Sequence, residues 1–540
     1  MKSFCLFASL FLYTFLPAQT LVKDIYPGTG NSAPIFLGSL EKGVVFAAIT
    51  PTYGYEIWFS DGSEEGTIML KDIRAGFNSS FSQSNAVQSG NYIYMVLLDT
   101  TISNSGLWRT DGTTQGTQRM MKFSSSFAIP NVSQNEISGV NGKCLFAYGD
   151  NNNKDLWVSD GTAAGTRLLK DFKPGQSLGG KPYNLVNMGD YVYFFADDGE
   201  HGYELWRSDG TDSGTQIVKD IFPGTVGCIS NIAQTTNMLA SNNKLYFYAI
   251  SDVVSGFELF VSDGTDSGTR MVKDLNPLPY SNSSVFVAGT SDSFALVFYR
   301  NSGTNYLCRT DGTAAGTYDL MSGADLIPNL PNFRTFVNAG NQVFFMHSTP
   351  TSGNELWSSD GSVDGTGMLL DLSPGTGSGF GNTICTYDGR AYFAGTNNFI
   401  GRELFVSSGF KGSTRIYLDI FPGINFGNIA SIICHDKMLF LSANTNNGKG
   451  VELYKLDPSA FLSTVEIQTS NLAIWPNPVS AGHAFKISED VTSVTLVSSI
   501  GQMTTLHSHT DRVFYLPDSI APGLYLLFIG NTTTKLLIEP

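Results

Sequence analysis

Histidine and cysteine are scarce in this chain of 540 residues, with six of each. His507 and His509 could share one face of a strand, but no third ligand is evident near them, so a metal site is not indicated. The sequence also lacks zinc-protease, nucleophile-elbow, phosphate-loop and Cys-x-x-Cys motifs. We therefore predict no catalytic, cofactor-binding or metal-binding residue.

Charge is also sparse, and it is unbalanced. Lysine and arginine total 32 against 47 acidic residues, which gives a net charge of −15. An acidic chain is a poor candidate for binding nucleic acid or an anionic membrane through bulk electrostatics. Only 15% of residues are charged, 57 are glycine and 12% are aromatic, a composition typical of a turn-rich β protein.

Long apolar runs are confined to the N-terminus. Lys2 precedes an apolar run from Phe4 to Leu16, and Ala18 ends a plausible cleavage site. This pattern predicts a signal peptide over residues 1–18, because the run is short for a membrane anchor. Cys5 lies at the start of the run and not at the cleavage point, which argues against a lipoprotein. No later segment predicts a transmembrane helix.

One motif recurs along most of the chain: Glu-Leu-Trp-x-Ser-Asp-Gly-Thr-x-x-Gly-Thr, followed by a strand that ends in Leu-Val-Lys-Asp-Ile. Its period is about 49 residues and it carries only strand signals, which indicates propeller blades. The aromatic position of the motif is occupied, in order, by Trp58, Trp108, Trp157, Trp206, Phe260, Cys308, Trp357, Phe405 and Tyr454.

Each repeat divides into four strands, A to D. In the first repeat we predict strand A at Ala33–Leu40, strand B at Gly43–Ile49, strand C at Tyr55–Ser60 and strand D at Thr67–Ile73. Alternation around the C–D turn places Ser60 opposite Thr67. The same register predicts that the glutamate and lysine of the motif pair across the strands, Glu56 with Lys71 and Glu204 with Lys219.

The two ends of the array complement each other. The segment beginning at Leu21 has the pattern of strand D, but strands A, B and C of its blade do not precede it. In the last repeat, no strand D pattern follows Tyr454. A mixed closing blade would remove two exposed sheet edges. We therefore predict an all-β fold with a closed propeller of nine four-stranded blades over residues 19–460. Two smaller propellers or an open array are the alternatives.

Five cysteines follow the signal segment, and they are scattered and odd in number, unlike a disulfide scaffold. Cys385 and Cys434 each follow an isoleucine in neighbouring repeats. We interpret both as small buried apolar residues in preference to a disulfide.

Aspartate and glycine form the recurring C–D turn. Aspartate can accept backbone N–H bonds there and glycine can adopt positive φ, so we interpret the turns as structural. A ring of sugar or calcium sites is the alternative, but one carboxylate per turn is few for calcium. The aspartates are Asp61, Asp111, Asp160, Asp209, Asp263, Asp311 and Asp360.

Strand order separates two ends of the ring. The A–B and C–D turns share one end, and the D–A connections and B–C loops share the other. Variable loops on a regular scaffold are common binding sites. Our candidate binding face is therefore the second end, illustrated by the B–C loop with Asp197, Asp198, Glu200 and His201.

These repeats resemble the ELWxxDGT-repeat proteins, a family of secreted bacterial proteins. The resemblance covers most of residues 21–456 and implies little about activity. The turn is also similar to the Asp-box of sialidase propellers, but the residue order differs, so no catalysis is carried over.

Residues 461–471 read as a linker, and 472–540 as a small immunoglobulin-like β-sandwich of short strands. This segment resembles the type A C-terminal sorting domain of the type IX secretion system. The resemblance implies the secretion machinery as a partner and export across an outer membrane to the cell surface or the medium. The matching residues include Pro476, Asn477, Pro478, Gly501, Gly523, Tyr525 and Lys535.

Together these features predict a secreted or cell-surface propeller that binds an extracellular glycan or protein and is not an enzyme. A carbohydrate-active enzyme with its site over the propeller axis is one alternative, because scattered carboxylates could pair there. A structural part of a surface machine is another.

Overall fold

The structure is a computed structural model. It describes residues 19–459 and 474–539, except 77–78, 80–85, 98–104, 125–134, 151–152, 177, 230–237, 278–284, 324–325, 327–335, 398–400, 422–426, 446, 476–478, 488–492, 499–502, 509–511, 521–522 and 530–531. The predicted signal peptide and linker therefore lie outside the described residues, as do Pro476, Asn477, Pro478 and Gly501.

Nine four-stranded antiparallel sheets form the blades, each with its strands in the order A-B-C-D. Blades 1 to 3 comprise β2 (Ile35–Leu40), β3 (Gly43–Thr50), β4 (Gly54–Ser60), β5 (Ile68–Lys71); β6 (Ala86–Ser89), β7 (Tyr92–Leu97), β8 (Gly106–Thr110), β9 (Gln118–Lys122); β10 (Ile137–Val140), β11 (Lys143–Gly149), β12 (Lys154–Ser159), β13 (Arg167–Lys170). Blades 4 to 6 comprise β14 (Tyr183–Met188), β15 (Tyr191–Asp197), β16 (Tyr203–Ser208), β17 (Gln216–Lys219); β18 (Leu239–Ser241), β19 (Lys244–Ile250), β20 (Phe257–Ser262), β21 (Arg270–Lys273); β22 (Phe286–Thr290), β23 (Ala295–Asn301), β24 (Thr304–Thr310), β25 (Tyr318–Gly323). Blades 7 to 9 comprise β26 (Val337–Ala339), β27 (Gln342–Thr349), β28 (Gly353–Ser359), β29 (Gly367–Met368); β30 (Phe380–Tyr387), β31 (Arg390–Asn397), β32 (Gly401–Ser407), β33 (Arg415–Leu418); β34 (Ser431–His435), β35 (Met438–Asn444), β36 (Val451–Leu456), with β1 (Thr20–Lys23) as strand D of blade 9.

The ring is closed by the first strand of the chain, as the sequence predicted. Strand β1 pairs antiparallel with β36, with Leu21 opposite Tyr454. Strand A of every blade contacts strand A of the next, and β34 of blade 9 contacts β2 of blade 1, so the A strands form the inner ring. The nine-bladed closed propeller is thus confirmed.

Apolar side chains fill the joint between every pair of neighbouring blades. The repeat provides an aliphatic and an aromatic residue on opposite faces of strand C, so each blade contributes to two joints. At the closing joint, Val22 and Ile25 pack with Phe46 and Trp58 of blade 1 and with Leu453 of blade 9. The N-terminal strand therefore joins the first and last blades through its side chains as well as its backbone.

The predicted Glu56–Lys71 pairing is wrong. A bulge in strand D places Lys71 opposite Ile57, and Met69 opposite Trp58. The same shift places Lys219 opposite Leu205 instead of Glu204. A bulge adds one residue to one strand of a pair. Counting from the turn therefore gives the wrong partner for every residue that lies past the bulge.

The prediction that Cys385 and Cys434 are free is also wrong, because they form a disulfide between blades 8 and 9. The two residues lie on the adjacent inner strands β30 and β34. Cys385 is two residues before the end of its strand, whereas Cys434 is one residue before the end. Successive side chains on a strand point in opposite directions, so this offset lets the two thiols face each other. The free cysteines among the described residues are Cys144, Cys228 and Cys308, all buried.

The described C-terminal strands form two sheets that share one apolar core, which includes Phe485, Phe514, Leu496 and Leu527. One sheet contains β37 (Ile474–Trp475), β39 (Ala484–Ile487) and β42 (Val513–Tyr515); the other contains β38 (Val479–Ser480), β44 (Thr532–Glu539), β43 (Gly523–Ile529), β40 (Ser493–Ser498) and β41 (Met503–His507). Whether this fold is immunoglobulin-like stays a prediction. Among the described residues no helix is both long and apolar enough to cross a bilayer.

Candidate functional site

The two ends of the ring differ in their regularity. The C–D turns all have the same length, at 61–67, 111–117, 160–166, 209–215, 263–269, 311–317, 360–366 and 408–414. The B–C segments at the other end that are described throughout range from 302–303 in blade 6 to 251–256 in blade 5. We refer to these as the uniform end and the variable end.

Each aspartate of the C–D turns accepts hydrogen bonds from within its own turn. Asp209 Oδ1 accepts the backbone N–H of Thr211 at 2.8 Å and its hydroxyl at 2.6 Å. Ser208 and Thr215 close the turn through their hydroxyl groups, 2.8 Å apart. Desolvation opposes ionisation of Asp209, but the hydrogen bonds from Thr211 and the charge of Lys143 together lower the pKa of its carboxyl group. Equivalent Oδ1 contacts are made by Asp61, Asp111, Asp160, Asp263, Asp311 and Asp360.

In the seven turns that contain an aspartate, two glycines have separate roles. Gly210 has a φ of 82°, in the left-handed region that favours glycine. Gly214 lies against the Asp209 carboxylate, and a side chain there would overlap it. The turn aspartates therefore stabilise the conformation of the turn, and their hydrogen-bond donors come from the same turn.

The motif glutamates are buried at the variable end, where they accept backbone N–H groups of the D–A connection. Glu204 accepts from Ile221 at 2.8 Å and from Phe222 at 3.0 Å. In the closing blade Glu452 accepts from Ile25 at 2.9 Å and also from the Ser32 hydroxyl at 2.6 Å. Each glutamate thus anchors the segment that leads from one blade to the next.

Burial shifts the titration of these glutamates. Desolvation is the largest influence, and it exceeds the opposing effect of the hydrogen bonds. The result is a pKa of about 7 for four of them, Glu204, Glu355, Glu403 and Glu452.

The motif lysines extend to the neighbouring blade. Lys219 Nζ donates to the carbonyl groups of Asp266 and Thr269, both at 3.1 Å, in the C–D turn of blade 5. Lys23 of the closing strand makes the equivalent bond to Thr67 of blade 1 at 2.9 Å. The glutamate and lysine that appeared to pair within a blade therefore act between blades.

The four candidate residues of the blade 4 B–C loop lie together at the variable end. Asp197 forms an ion pair with Lys173 at 2.5 Å. Asp198 accepts the backbone N–H groups of Glu200 and His201, and it also contacts His201 Nδ1 at 2.8 Å. Glu200 is exposed. The loop is therefore preorganised by its own carboxylates, and Glu200 is the acidic side chain that it presents to solvent.

Hydrogen bonding couples the titration of Asp198 and His201. The hydrogen bond that the Asp198 carboxylate accepts from the imidazole raises the pKa of His201. Partial desolvation opposes ionisation of Asp198, but hydrogen bonds from His201 outweigh it and lower the carboxyl pKa. This pair fixes the position of the imidazole ring next to Asp198.

The remaining candidate residues can be placed only in part. Gly523, Tyr525 and Lys535 lie on β43 and β44, and the Tyr525 side chain is buried. Within the described residues no group of three or more His, Cys, Asp or Glu side chains is arranged to hold a metal ion.

Sequence reasoning missed two features of the scaffold that carries the site. The glutamate anchors have a signal, because a carboxylate recurs at a buried strand position in most repeats. The disulfide has no signal beyond the two Ile-Cys pairs. The repeat length does not show which residues of neighbouring inner strands face each other.

No family model matches this chain, and no curated protein matches it. Similar solved structures include a puromycin hydrolase, with 13% identity and a TM-score of 0.38, covering 68% of this chain and 60% of that one. The Dos1 propeller has 10% identity and a TM-score of 0.39, covering 69% of this chain and 92% of that one. A prolyl endopeptidase structure has 8% identity and a TM-score of 0.37, with 77% and 55% covered. This chain therefore spans about 60% of the hydrolase, and these similarities concern the fold alone.

Proposed function

We propose that the chain is a secreted or cell-surface binding protein that recognises an extracellular glycan or protein through the variable end of its propeller. The observation that supports this is the contrast between the two ends. At the uniform end, seven of the eight C–D turns share one internal hydrogen-bond pattern, and the eighth, 408–414, keeps the same length. The variable end carries segments of different length on a rigid ring, the arrangement on which binding sites are commonly built.

The proposed role is non-catalytic. The recurring carboxylates are occupied by the scaffold: Glu403 accepts three backbone N–H groups of the next connection, and Asp263 accepts the N–H and hydroxyl of Thr265. A carbohydrate-active enzyme would need a pair of carboxylates directed at a sugar. The recurring residues do not provide that pair.

The export proposal concerns residues 472–540. We propose that they direct the chain through a type IX secretion system, as the resemblance of their motifs implies. The full chain and a chain ending at residue 471 would be expressed in a Gram-negative host that has this system. We expect the product of the full chain on the surface or in the medium. We expect the shortened chain to be retained in the periplasm. Equal distribution of the two would contradict the proposal.

Binding would be tested with the full chain on an array of glycans and immobilised extracellular proteins, with calcium and with chelator. We expect saturable binding that survives chelation, because the turn aspartates are satisfied within their turns. Loss of binding in chelator would instead favour ion sites at those turns. Binding that is removed by substitutions in the C–D turns and not by substitutions in B–C loops would contradict the choice of end.

A further inference from the structure

Loops of blades 3, 4 and 5 form one continuous surface at the variable end. Lys173 of the blade 3–4 connection pairs with Asp197 of the blade 4 loop. Gly202 of that loop lies against the backbone of the blade 4–5 connection, and Tyr203 bridges to Gly227. Ile250 at the start of the blade 5 loop donates to Cys228 of the same connection at 3.0 Å.

This surface exposes large aliphatic side chains. Val226 is 64% exposed, Val253 60%, Val254 51% and Leu178 49%. Several exposed apolar side chains on linked loops at one end of a soluble protein commonly mark an interaction site. Aliphatic groups gain most by burial against other aliphatic groups, which a partner polypeptide offers and a hydroxyl-rich glycan does not.

The same surface is negatively charged. Among the exposed residues of the same loops the charged ones are all acidic: Asp171, Glu200, Asp220 and Asp252. Hydrogen bonds from Ser255 lower the pKa of Asp252, so this group is ionised at neutral pH. The nearby Lys173 is neutralised by Asp197, and its side chain is only 11% exposed. We call this set of loops, with its aliphatic and acidic residues, the acidic–aliphatic surface.

We propose that the acidic–aliphatic surface docks a basic segment of a partner polypeptide, one that combines lysine or arginine with leucine or valine. This inference rests on the proposed function and names the class of partner for its variable end. The aliphatic groups would provide the contact area, while the carboxylates would select a cationic partner and speed its approach. The net charge of the whole chain has the same sign as the surface and adds to this selection.

The test uses the full chain and three labelled peptides of about 20 residues, measured by fluorescence anisotropy. One alternates lysine with leucine, one glutamate with leucine, and one lysine with serine. We expect saturable binding of the Lys/Leu peptide and at least about tenfold weaker binding of the other two, a difference of about 1.4 kcal/mol. Raising the salt concentration should weaken binding, because the carboxylates are exposed.

Substitutions test whether the Lys/Leu peptide binds at the acidic–aliphatic surface. Val226→Ser with Val253→Ser should weaken binding of the Lys/Leu peptide about tenfold, and Glu200→Gln with Asp252→Asn should weaken it and reduce its salt dependence. The matched control is Val363→Ser with Phe410→Ser, two exposed apolar residues of C–D turns at the uniform end. This control should leave binding unchanged.

Three results would overturn the proposal: equal affinity for the Glu/Leu peptide, equal loss of binding in the control variant, or absence of Lys/Leu binding. The third result leaves the proposed function standing if the array shows binding elsewhere at the variable end. Failure of both assays would contradict the proposed function itself.

Discussion

At the scale of single residues, the repeat is a set of connections between neighbours. The tryptophan fills a joint, the lysine reaches the next blade, and the glutamate holds the connection to it. The second glycine of the turn is required because the aspartate carboxylate occupies the space where a side chain would lie. Recurrence therefore marks scaffold residues in this protein.

The turn glycine yields a direct prediction. Gly214→Ala should lower the free energy of unfolding by about 1–3 kcal/mol, because the new methyl group overlaps the Asp209 carboxylate. The control is Gly367→Ala, at the start of β29, where nothing lies within 4 Å of the added carbon. Urea denaturation measures both variants. Equal stabilities would show that the carboxylate does not occupy that space.

The buried glutamates predict how stability depends on pH. The pKa of Glu403 is raised from 4.5 to about 7 in the folded protein. The folded state therefore binds more protons than the unfolded state between these values, and stability must fall as pH rises through that range. We expect the thermal midpoint to decrease between pH 5 and pH 8.

Replacing one glutamate isolates its contribution to the pH dependence of stability. Glu403→Gln should be less stable than the parent at pH 5, because an amide nitrogen cannot accept the N–H groups that the carboxyl group receives. Its stability should fall less between pH 5 and pH 8. A slope identical to that of the parent would contradict the assignment of the pH dependence to this group.

At the scale of strands, the repeat predicts much of the fold, because blade strands alternate in a fixed order around recognisable turns. Strand B was expected at Gly43–Ile49 and is β3, Gly43–Thr50. What the period cannot show is a local insertion. The bulge between the residues facing Ile57 and Trp58 changes the partner of every residue beyond it. The candidate binding loop of blade 4 could be identified from the sequence because B–C loops do not follow the repeat.

The closing strand predicts a dependence on the N-terminus. Deleting residues 19–25 should lower the free energy of unfolding by at least about 3 kcal/mol, since Val22 and Ile25 leave the core and β36 loses its pairing with β1. Thermal unfolding measures the loss. A synthetic peptide of residues 19–26 should restore stability as its concentration rises. A deleted chain as stable as the parent would contradict closure by β1.

The disulfide predicts a pattern of thiol reactivity. In a chain starting at residue 19, unfolding without reductant should allow alkylation of Cys144, Cys228 and Cys308 only. Adding reductant should expose Cys385 and Cys434 as well. Cys385→Ser should lower stability by about 2–4 kcal/mol, because the link between blades 8 and 9 is lost. Peptide mass spectrometry reads the pattern, and alkylation of all five without reductant would contradict the bond.

At the scale of the whole molecule, nine joints close one ring and leave two unlike ends. The uniform end follows from the repeat and could be predicted from it. The acidic–aliphatic surface could not, because residues such as Val226 and Val253 occur in loops that differ between blades, and only the fold brings these loops side by side. Glu200 was a candidate from its loop, but the exposed valines of the neighbouring segments became visible only in the assembled ring.

Hydrogen–deuterium exchange of the full chain, alone and with the Lys/Leu peptide, tests the central claim most directly. We expect new protection in the variable-end segments 171–181, 197–203, 220–229 and 250–257. The C–D turns, such as 209–215 and 263–269, should be unchanged. Protection confined to those turns, with none in the variable-end segments, would contradict the division of the ring into a scaffold end and a binding end.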